Sequence, residues 1–432
     1  MRFFILKYLG ISFMAGLILA GIFLSFKESR MEIVPSGGIP PDSSPEDGLF
    51  GSIKDKYLGI FMDKEETKAT SSVPEEEGAS SSKQNPLSDP PTIVKGLYLT
   101  GWTAGSEKRL KQIISLAKEK GLNGVVVDVK DYSGYLTYKT GLAEVAATGA
   151  EKELRVENMD SAIKQLHEND LYVIARITVF QDPILSQARP DWALQDKTKG
   201  GLWRDRKGLS WLDPAAPEVW AYHVSLAKNA LERGFDEVNF DYIRFPSDGD
   251  LANIKYPFWD EKISRREILR DFFEYLRSNL SDAKISADLF GMTTYAADDL
   301  GIGQIIEDAY SNFDFICPMV YPSHYGAGVL GLKNPAEHPY EVIKYSMEAA
   351  LARRNKMSLA SSTTSTVILQ IPPRLAKLRP WLQAFDLGAV YDREMINKQI
   401  VATQEVLNST SSDSYAGWLL WDPKNIYTNF QP

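Results

Sequence analysis

From Val94 onward, short runs of β-branched and aromatic residues alternate with segments whose apolar positions recur every three to four residues. The first kind reads as strand and the second as amphipathic helix. Strands are predicted at Val94–Trp102, Gly124–Lys130, Leu171–Phe180, Glu237–Phe245, Lys284–Phe290, Phe313–Tyr321, Leu378–Phe385 and Tyr415–Trp421. Helices are predicted at Glu107–Lys120, Met159–Asn169, Pro217–Arg233, Ser264–Leu280, Gly303–Ser311, Pro339–Asn355 and Glu394–Asn408. Eight strands, with a helix after each of the first seven, are the pattern of an α/β (β/α)8 TIM barrel with inserted loops. A doubly wound nucleotide-binding sheet would carry a glycine-rich first turn, and the loop after the first strand is Thr103-Ala104-Gly105-Ser106 instead. Long connections follow the second, third and sixth strands, on the face where barrel chemistry sits. The loop after the third strand holds Trp192, Trp203, Arg204, Asp205 and Trp211, either as a ligand platform or as a core private to the loop.

The pattern before Val94 is different. Tyr8–Phe26 is an uncharged, mostly apolar run, flanked by Arg2 and Lys7 on one side and by Lys27, Glu28 and Arg30 on the other. Such a run spans about 28 Å as a helix, close to the hydrocarbon thickness. The leading positive charges favour a cytoplasmic N-terminus. Residues 1–30 are therefore expected to be an uncleaved single-pass signal anchor in the cell membrane. A cleaved signal peptide is the alternative, for which Leu24-Ser25-Phe26 is a poor small-x-small site. A buried core helix has nothing nearby to bury it. Residues 31–91 follow, with Pro35, Pro40, Pro41, Pro45, Pro74, Pro86, Pro90 and Pro91 among serines and acidic clusters. That composition buries too little apolar surface to offset chain entropy, so it reads as a disordered tether. Tyr57–Met62 is an apolar exception that could dock. Residues 92–432 form the barrel domain, held outside the cytoplasm with envelope material in reach.

Composition narrows the chemistry. The 432 residues are 44% apolar and 24% charged, an ordinary globular balance. With 48 basic and 57 acidic residues the net charge is -9, which argues against nucleic-acid binding. A single cysteine, Cys317, excludes an internal disulfide and a Cys-based zinc site. His167, His223, His324 and His338 are scattered without metal-ligand spacing, so no metal and no cofactor is expected. Cys317 lacks a partner base and reads as a small buried residue. Nothing in the pattern sets an oligomeric state.

Most of the barrel strands end in polar residues. Alternation puts Val126, Asp128 and Lys130 on one face of the second strand. It pairs Arg176 with Thr178, Asn239 with Asp241, and Ser286 with Asp288. Gln383 lies in the seventh strand, and Trp421 and Asp422 end the eighth. A charge in an apolar strand is costly unless paired or used. One outcome is a buried ion-pair network, with Asp128 on Lys130 or Arg176 and Asp241 on Arg176 or Arg244. The other is a catalytic pair on neighbouring strands, as glycoside cleavage requires. On that reading Asp241, with Arg244 nearby, is nucleophile or charge stabiliser. Asp288, in a more apolar setting, is general acid, and Asp128 is in reserve. Arg176, Trp203, Arg244, Tyr321, His324, Gln383 and Trp421 are the candidate substrate-binding residues; His324 could equally be a structural loop residue.

These strings carry a resemblance. Val94-Lys95-Gly96-Leu97-Tyr98-Leu99-Thr100, Val126-Val127-Asp128-Val129-Lys130-Asp131 and Asn239-Phe240-Asp241-Tyr242-Ile243-Arg244-Phe245-Pro246 resemble a bacterial putative glycoside hydrolase domain family, formerly a domain of unknown function. So do Ala287-Asp288-Leu289-Phe290-Gly291, Pro318–Tyr325, Pro380–Phe385 and Gly417–Pro423, in order over roughly residues 94–427. The resemblance implies a glycosidase-type (β/α)8 barrel. In distant barrel relatives that cut exopolysaccharide an Asp ending the fourth strand is central, and Asp241 matches it. Many glycosidases end the fifth strand with Glu; Asp288 is one methylene shorter. The expected function is a membrane-anchored, extracytoplasmic glycoside hydrolase for a cell-envelope or exopolysaccharide glycan. A non-catalytic carbohydrate-binding barrel is the alternative, and an envelope assembly protein a third.

Overall fold

The computed structural model describes residues 83–363, 375–408 and 413–427, without the side chains of 360–363. The expected anchor and the tether up to residue 82 lie outside the described residues. Among the described residues no helix is long and apolar enough to cross a membrane.

Eight parallel strands form the barrel, in chain order with their main helices: β1 Val94–Leu99, α1 Glu107–Lys120, β2 Gly124–Lys130, α2 Met159–His167, β3 Tyr172–Thr178, α3 Pro217–Glu232, β4 Glu237–Asp241, α4 Arg265–Asn279, β5 Ile285–Phe290, α5 Ile306–Asn312, β6 Phe315–Met319, α6 Pro339–Thr363, β7 Trp381–Gln383, α7 Arg393–Asn408 and β8 Gly417–Trp421. Neighbours pair in sequence order, β8 lies between β7 and β1, and Met319 of β6 pairs with Trp381 of β7 to close the ring.

The differences from the expected elements have local causes. β1 stops at Leu99 because Thr100 caps a helical turn, its Oγ1 accepting from Thr103 N at 3.2 Å. Trp102 therefore leaves the strand and is 65% exposed. β4 ends at Asp241 because Tyr242 turns into the left-handed region, φ 53°. The seventh strand is broken at Arg379-Pro380, since Pro380 has no N–H for the ladder; a short Lys377–Leu378 strand pairs with β6 before the break. β2 carries an irregularity: Asp128 pairs with Arg176 and Lys130 with Ile177. That extra residue turns Lys130 out of the barrel, where Nζ meets Asp182 at 2.6 Å and His223 Nε2 at 2.7 Å. Lys130 thus does not share a face with Asp128, as plain alternation implied.

The pleat divides the core in two. One cluster contains Val94 and Tyr98 of β1, Val126 of β2, Ile174 of β3, Cys317 of β6, Trp381 of β7 and Leu419 of β8 and fills the barrel interior. The alternate residues, such as Leu97, Val125, Val127, Phe240 and Leu289, pack outward against the helices. Gly96 leaves room inside: a Cβ there would meet Leu419 Cδ2 at 2.7 Å. At its base the interior is closed by a fully buried Glu237–Arg379 pair, to which Ser286 Oγ donates at 2.5 Å. Residues just before β1 lie against the barrel: Leu87 N donates to Asp236 Oδ1 at 2.6 Å and Gln84 Nε2 to Asp160 O at 2.9 Å.

Candidate active site

The C-terminal ends of β2, β3, β4 and β5 place Asp128, Arg176, Asp241 and Asp288 together inside the barrel. Arg176 is the hub. Its Nη1 donates to Asp128 Oδ1 at 2.6 Å, its Nη2 donates to Asp241 Oδ2, and its Nε lies 3.7 Å from Asp288 Oδ2. Each of the four residues is 5% exposed or less. Burial works against the Arg176 charge, and Asp241 and Asp128 more than reverse it, so the guanidinium stays charged. The buried ion-pair network weighed from the sequence is therefore present, with Arg176 as partner to both Asp128 and Asp241. Lys130 takes no part in it.

The three acids have different surroundings. Asp128 Oδ2 accepts a 2.5 Å bond from Tyr98 OH, and burial pushes its carboxyl up to about 6 against the pull of Arg176. Asp241 is held by Arg176 and by the backbone N–H of Tyr242, 2.5 Å from Oδ1. The left-handed turn at Tyr242 brings that N–H onto the side chain of the residue before it. Among the described residues Asp288 has no ion pair as short, its nearest being Arg176 Nε at 3.7 Å. Its Oδ1 accepts from Asn239 Nδ2 at 2.8 Å and from Trp381 Nε1 at 2.7 Å. Burial first and the Asp241 charge second push Asp288 up to about 8, with Arg176 opposing. A carboxyl at that value is mostly protonated at neutral pH. Because Oδ1 already accepts two N–H bonds, the proton belongs on Oδ2.

Aromatic rings surround the cluster. Trp421 stacks on Tyr98, with centroids 3.8 Å apart and planes 18° apart, and Arg176 lies 4.9 Å from the Trp421 centroid. Trp421 is half-buried, whereas Trp381 beneath it is fully buried. Tyr321 follows β6 and is 7% exposed; the charges of Asp288 and Asp241 add to burial in raising its phenol well above the usual value. His324 packs edge-on to Tyr321, its Nδ1 3.0 Å from Ser323 Oγ. Burial, and secondarily the charge of Lys207, lower its imidazole to about 4, so it is neutral. Arg244 lies half-buried on the loop after β4.

Two candidate binders are occupied elsewhere. Trp203 is 1% exposed and donates from Nε1 to Asp250 O at 2.9 Å, so it belongs to the private core of its loop. Trp211 is likewise buried, bonded to Asp205 Oδ2 at 2.9 Å. Gln383 is buried, and its amide is spent on Phe385 O at 2.9 Å and Ser323 N at 3.1 Å, which positions the loops rather than a ligand. The residues not singled out beforehand are Tyr98, Asn239, Trp381 and Tyr242. For Asn239 and Trp381 the signal was available: each lies two residues from a candidate on the same strand and hence on the same face. Among the described residues no group of three or more His, Cys, Asp or Glu side chains is arranged to hold a metal ion. A shallow groove of about 500 Å³ is lined by residues of α6 and α7 such as Tyr340 and Lys398.

Comparison with known proteins finds a matching family and several similar solved structures. A sequence family described as a putative glycosyl hydrolase domain matches residues 96–427. A hypothetical protein from Ruminiclostridium thermocellum ATCC 27405, known as a crystal structure, is 38% identical over 48% of this chain and 98% of its own, with a TM-score of 0.42. An α-galactosidase from Thermus thermophilus is 14% identical over 81% of this chain and 60% of its own, with a TM-score of 0.47. The glycoside hydrolase domain of PelA from Pseudomonas aeruginosa is 11% identical over 79% of this chain and 100% of its own, with a TM-score of 0.40. Comparison with curated proteins finds no match.

Proposed function

The chain belongs to the putative glycosyl hydrolase domain family, and from that premise we propose that it cleaves O-glycosidic bonds of a bacterial cell-envelope or exopolysaccharide glycan, with Asp288 as general acid and Asp241 as nucleophile or charge stabiliser. The observation that carries this is the unequal pair of carboxyls on β4 and β5. Asp241 is bonded to the Arg176 guanidinium, while Asp288 is raised to about 8. A carboxyl that keeps its proton beside one bonded to a guanidinium suits the acid and the charge-facing roles of glycoside cleavage. Asp288 passes the proton on Oδ2 to the departing glycosidic oxygen as the C–O bond breaks. Asp241 meets the positive charge that grows on the anomeric carbon; water then adds to that carbon and its proton returns to Asp288, which completes the hydrolysis. Asp128 and Tyr98 hold Arg176 in place, and the half-buried Trp421 offers a ring for the sugar. The uncharged run Tyr8–Phe26 supports a membrane anchor, with the barrel outside the cytoplasm where such glycans are found.

The full chain, solubilised in detergent, tests this when incubated with bacterial wall and capsular polysaccharides beside its Asp241→Asn variant. Release of reducing ends by the parent, seen by mass spectrometry and absent from the variant, is the expected result. Binding of a glycan by both proteins with no release by either would instead establish a non-catalytic carbohydrate-binding barrel, for which the Asp128–Arg176–Asp241 network is a structural device.

A further inference from the structure

Two cations at the mouth of the barrel feel the charges of Asp205 and Asp248 but make no direct contact with an acid among the described residues. Arg244 follows Asp241 by three residues and is boxed in by rings, its guanidinium carbon 4.6 Å from the Phe290 centroid, 4.9 Å from Trp211 and 5.4 Å from Tyr242. Its Nη1 donates to Phe245 O and to Ser247 Oγ, both at 3.1 Å. Lys207, exposed on the loop after β3, lies within electrostatic reach of both Arg244 and His324. Among the described residues neither Arg244 nor Lys207 forms an ion pair. The acids nearby are committed. Asp205 Oδ1 accepts from Lys207 N and Leu209 N, both at 2.9 Å, and Oδ2 from the Trp211 indole. Asp248 Oδ1 accepts from Arg206 N at 3.3 Å. Asp241 belongs to Arg176.

An arginine drawn partly out of water without a counterion is costly, and burial does lower its affinity for the proton. A guanidinium packed among rings keeps the N–H groups that bond neither Phe245 O nor Ser247 Oγ for an oxyanion. The position is telling. Tyr242 follows Asp241 directly, and Phe290 stands two residues beyond Asp288, so Arg244 sits over the strand ends that carry both acids. That acid cluster repels an anionic sugar unless a positive group offsets it, and the chain as a whole carries a net charge of -9.

We propose that Arg244 and Lys207 form a subsite for an oxyanion on the glycan, a uronate carboxylate or a phosphate, so that the substrate is an acidic polysaccharide. This rests on the glycosidase reading above. The test uses the full chain in detergent, carrying Asp288→Asn so that no probe is cleaved during titration. The probes are a uronate-rich capsular polysaccharide, its carboxyl-reduced neutral form, and a phosphodiester-linked teichoic acid. Binding is measured by calorimetry at low and high salt. The expected result is at least about tenfold tighter binding of one acidic polymer than of the neutral form, weakening with salt and falling towards parity in Lys207→Gln and in Arg244→Gln. The acidic polymer that shows the preference tells carboxylate from phosphate. Because Lys207 is exposed, its substitution leaves the fold intact even where Arg244→Gln disturbs the ring box. Equal binding of acidic and neutral polymers, a preference that survives both substitutions, or no binding at all would overturn the subsite. Hydrolysis separates this from the wider reading. Parent enzyme that cuts neutral glycans as readily as acidic ones removes the subsite and leaves the glycosidase. Selective acidic binding without cleavage by the parent keeps the subsite and removes the enzyme.

Discussion

The Trp381 indole donates a 2.7 Å hydrogen bond to Asp288 Oδ1. Together with Asn239 it fixes which oxygen of Asp288 accepts and which is left for the proton. The indole reaches Asp288 from the next strand but one, since β7 and β5 are separated by β6. The bond is thus a brace over one intervening strand inside the barrel, and it restrains the acid in one rotamer. It also stabilises the ionised form and partly counters the effect of burial.

Removing that brace has a signed consequence. In Trp381→Phe the carboxylate loses one of two donors, so the Asp288 pKa rises further. A general acid works only while protonated, so the alkaline limb of kcat against pH shifts to higher pH than in the parent. The turnover at the optimum falls, because the acid is less well aimed. A pH–rate profile of parent and variant on the same released glycan reads both effects. An alkaline limb that stays in place would show that Asp288 is not the group that limits activity at high pH.

Asp288 also leaves a mark on stability. Its pKa is about 8 in the folded chain against an ordinary 3.8, so its contribution is fully present below about pH 4 and is lost as pH rises through 8. Asp128, raised to about 6, behaves likewise over a lower window. Urea midpoints between pH 5 and 9 are therefore expected to fall more steeply in the parent than in Asp288→Asn, which cannot ionise there. Parallel curves for the two proteins would exclude the raised value.

Arg176 carries a larger share of the architecture. Arg176→Met leaves Asp128 and Asp241 buried without a counterion, and breaking a buried pair in this way costs about 3–5 kcal/mol. The variant is expected to unfold at much lower urea and to regain part of the loss at acid pH, where the orphaned carboxyls protonate. Arg176→Lys keeps the charge but cannot fork between two acids, so it falls between the two. Equilibrium denaturation at neutral and acid pH separates these outcomes.

The eight strands were readable in advance because each parallel strand here is buried on both faces and so is a dense apolar run broken by turn residues. The convergence of Asp128, Arg176, Asp241 and Asp288 followed from alternation once the barrel was assumed. What alternation could not supply was the irregularity between Asp128 and Lys130, which inverts one side chain and sends Lys130 to Asp182 and His223. Nor could it separate Trp203 from Trp421. Both are tryptophans on the strand-end side, but Trp203, in the loop after β3, is sealed under Asp250 and Gly249, and Trp421, ending β8, stacks on Tyr98 and is half-buried. Strand limits failed at Thr100, Tyr242 and Pro380 for backbone reasons, a cap, a left-handed turn and a missing N–H, which hydrophobic pattern does not report. For Trp203 the expected effect of truncation is on stability: Trp203→Ala costs about 3–5 kcal/mol by denaturation, since a large ring leaves a buried site.

The assignment of Asp288 and Asp241 to separate roles can be decided by leaving-group chemistry. A general acid matters in proportion to how badly the leaving oxygen needs a proton. Aryl glycosides of the sugar released from the natural glycan, graded in phenol acidity, vary that need while the anomeric carbon stays the same. Asp288→Asn is expected to lose about 100-fold to 10,000-fold on the natural glycan and on poor leaving groups, and to approach the parent rate with a nitrophenol that departs as its anion. Asp241→Asn removes the charge facing the anomeric carbon, so it is expected to lose activity on every member of the series alike. The measurement is the slope of log kcat/KM against phenol pKa for the three proteins. A steep slope for Asp288→Asn beside a shallow one for the parent assigns the proton to Asp288. Equal slopes, or a steep slope for Asp241→Asn instead, would exchange the two roles or hand the proton to Asp128.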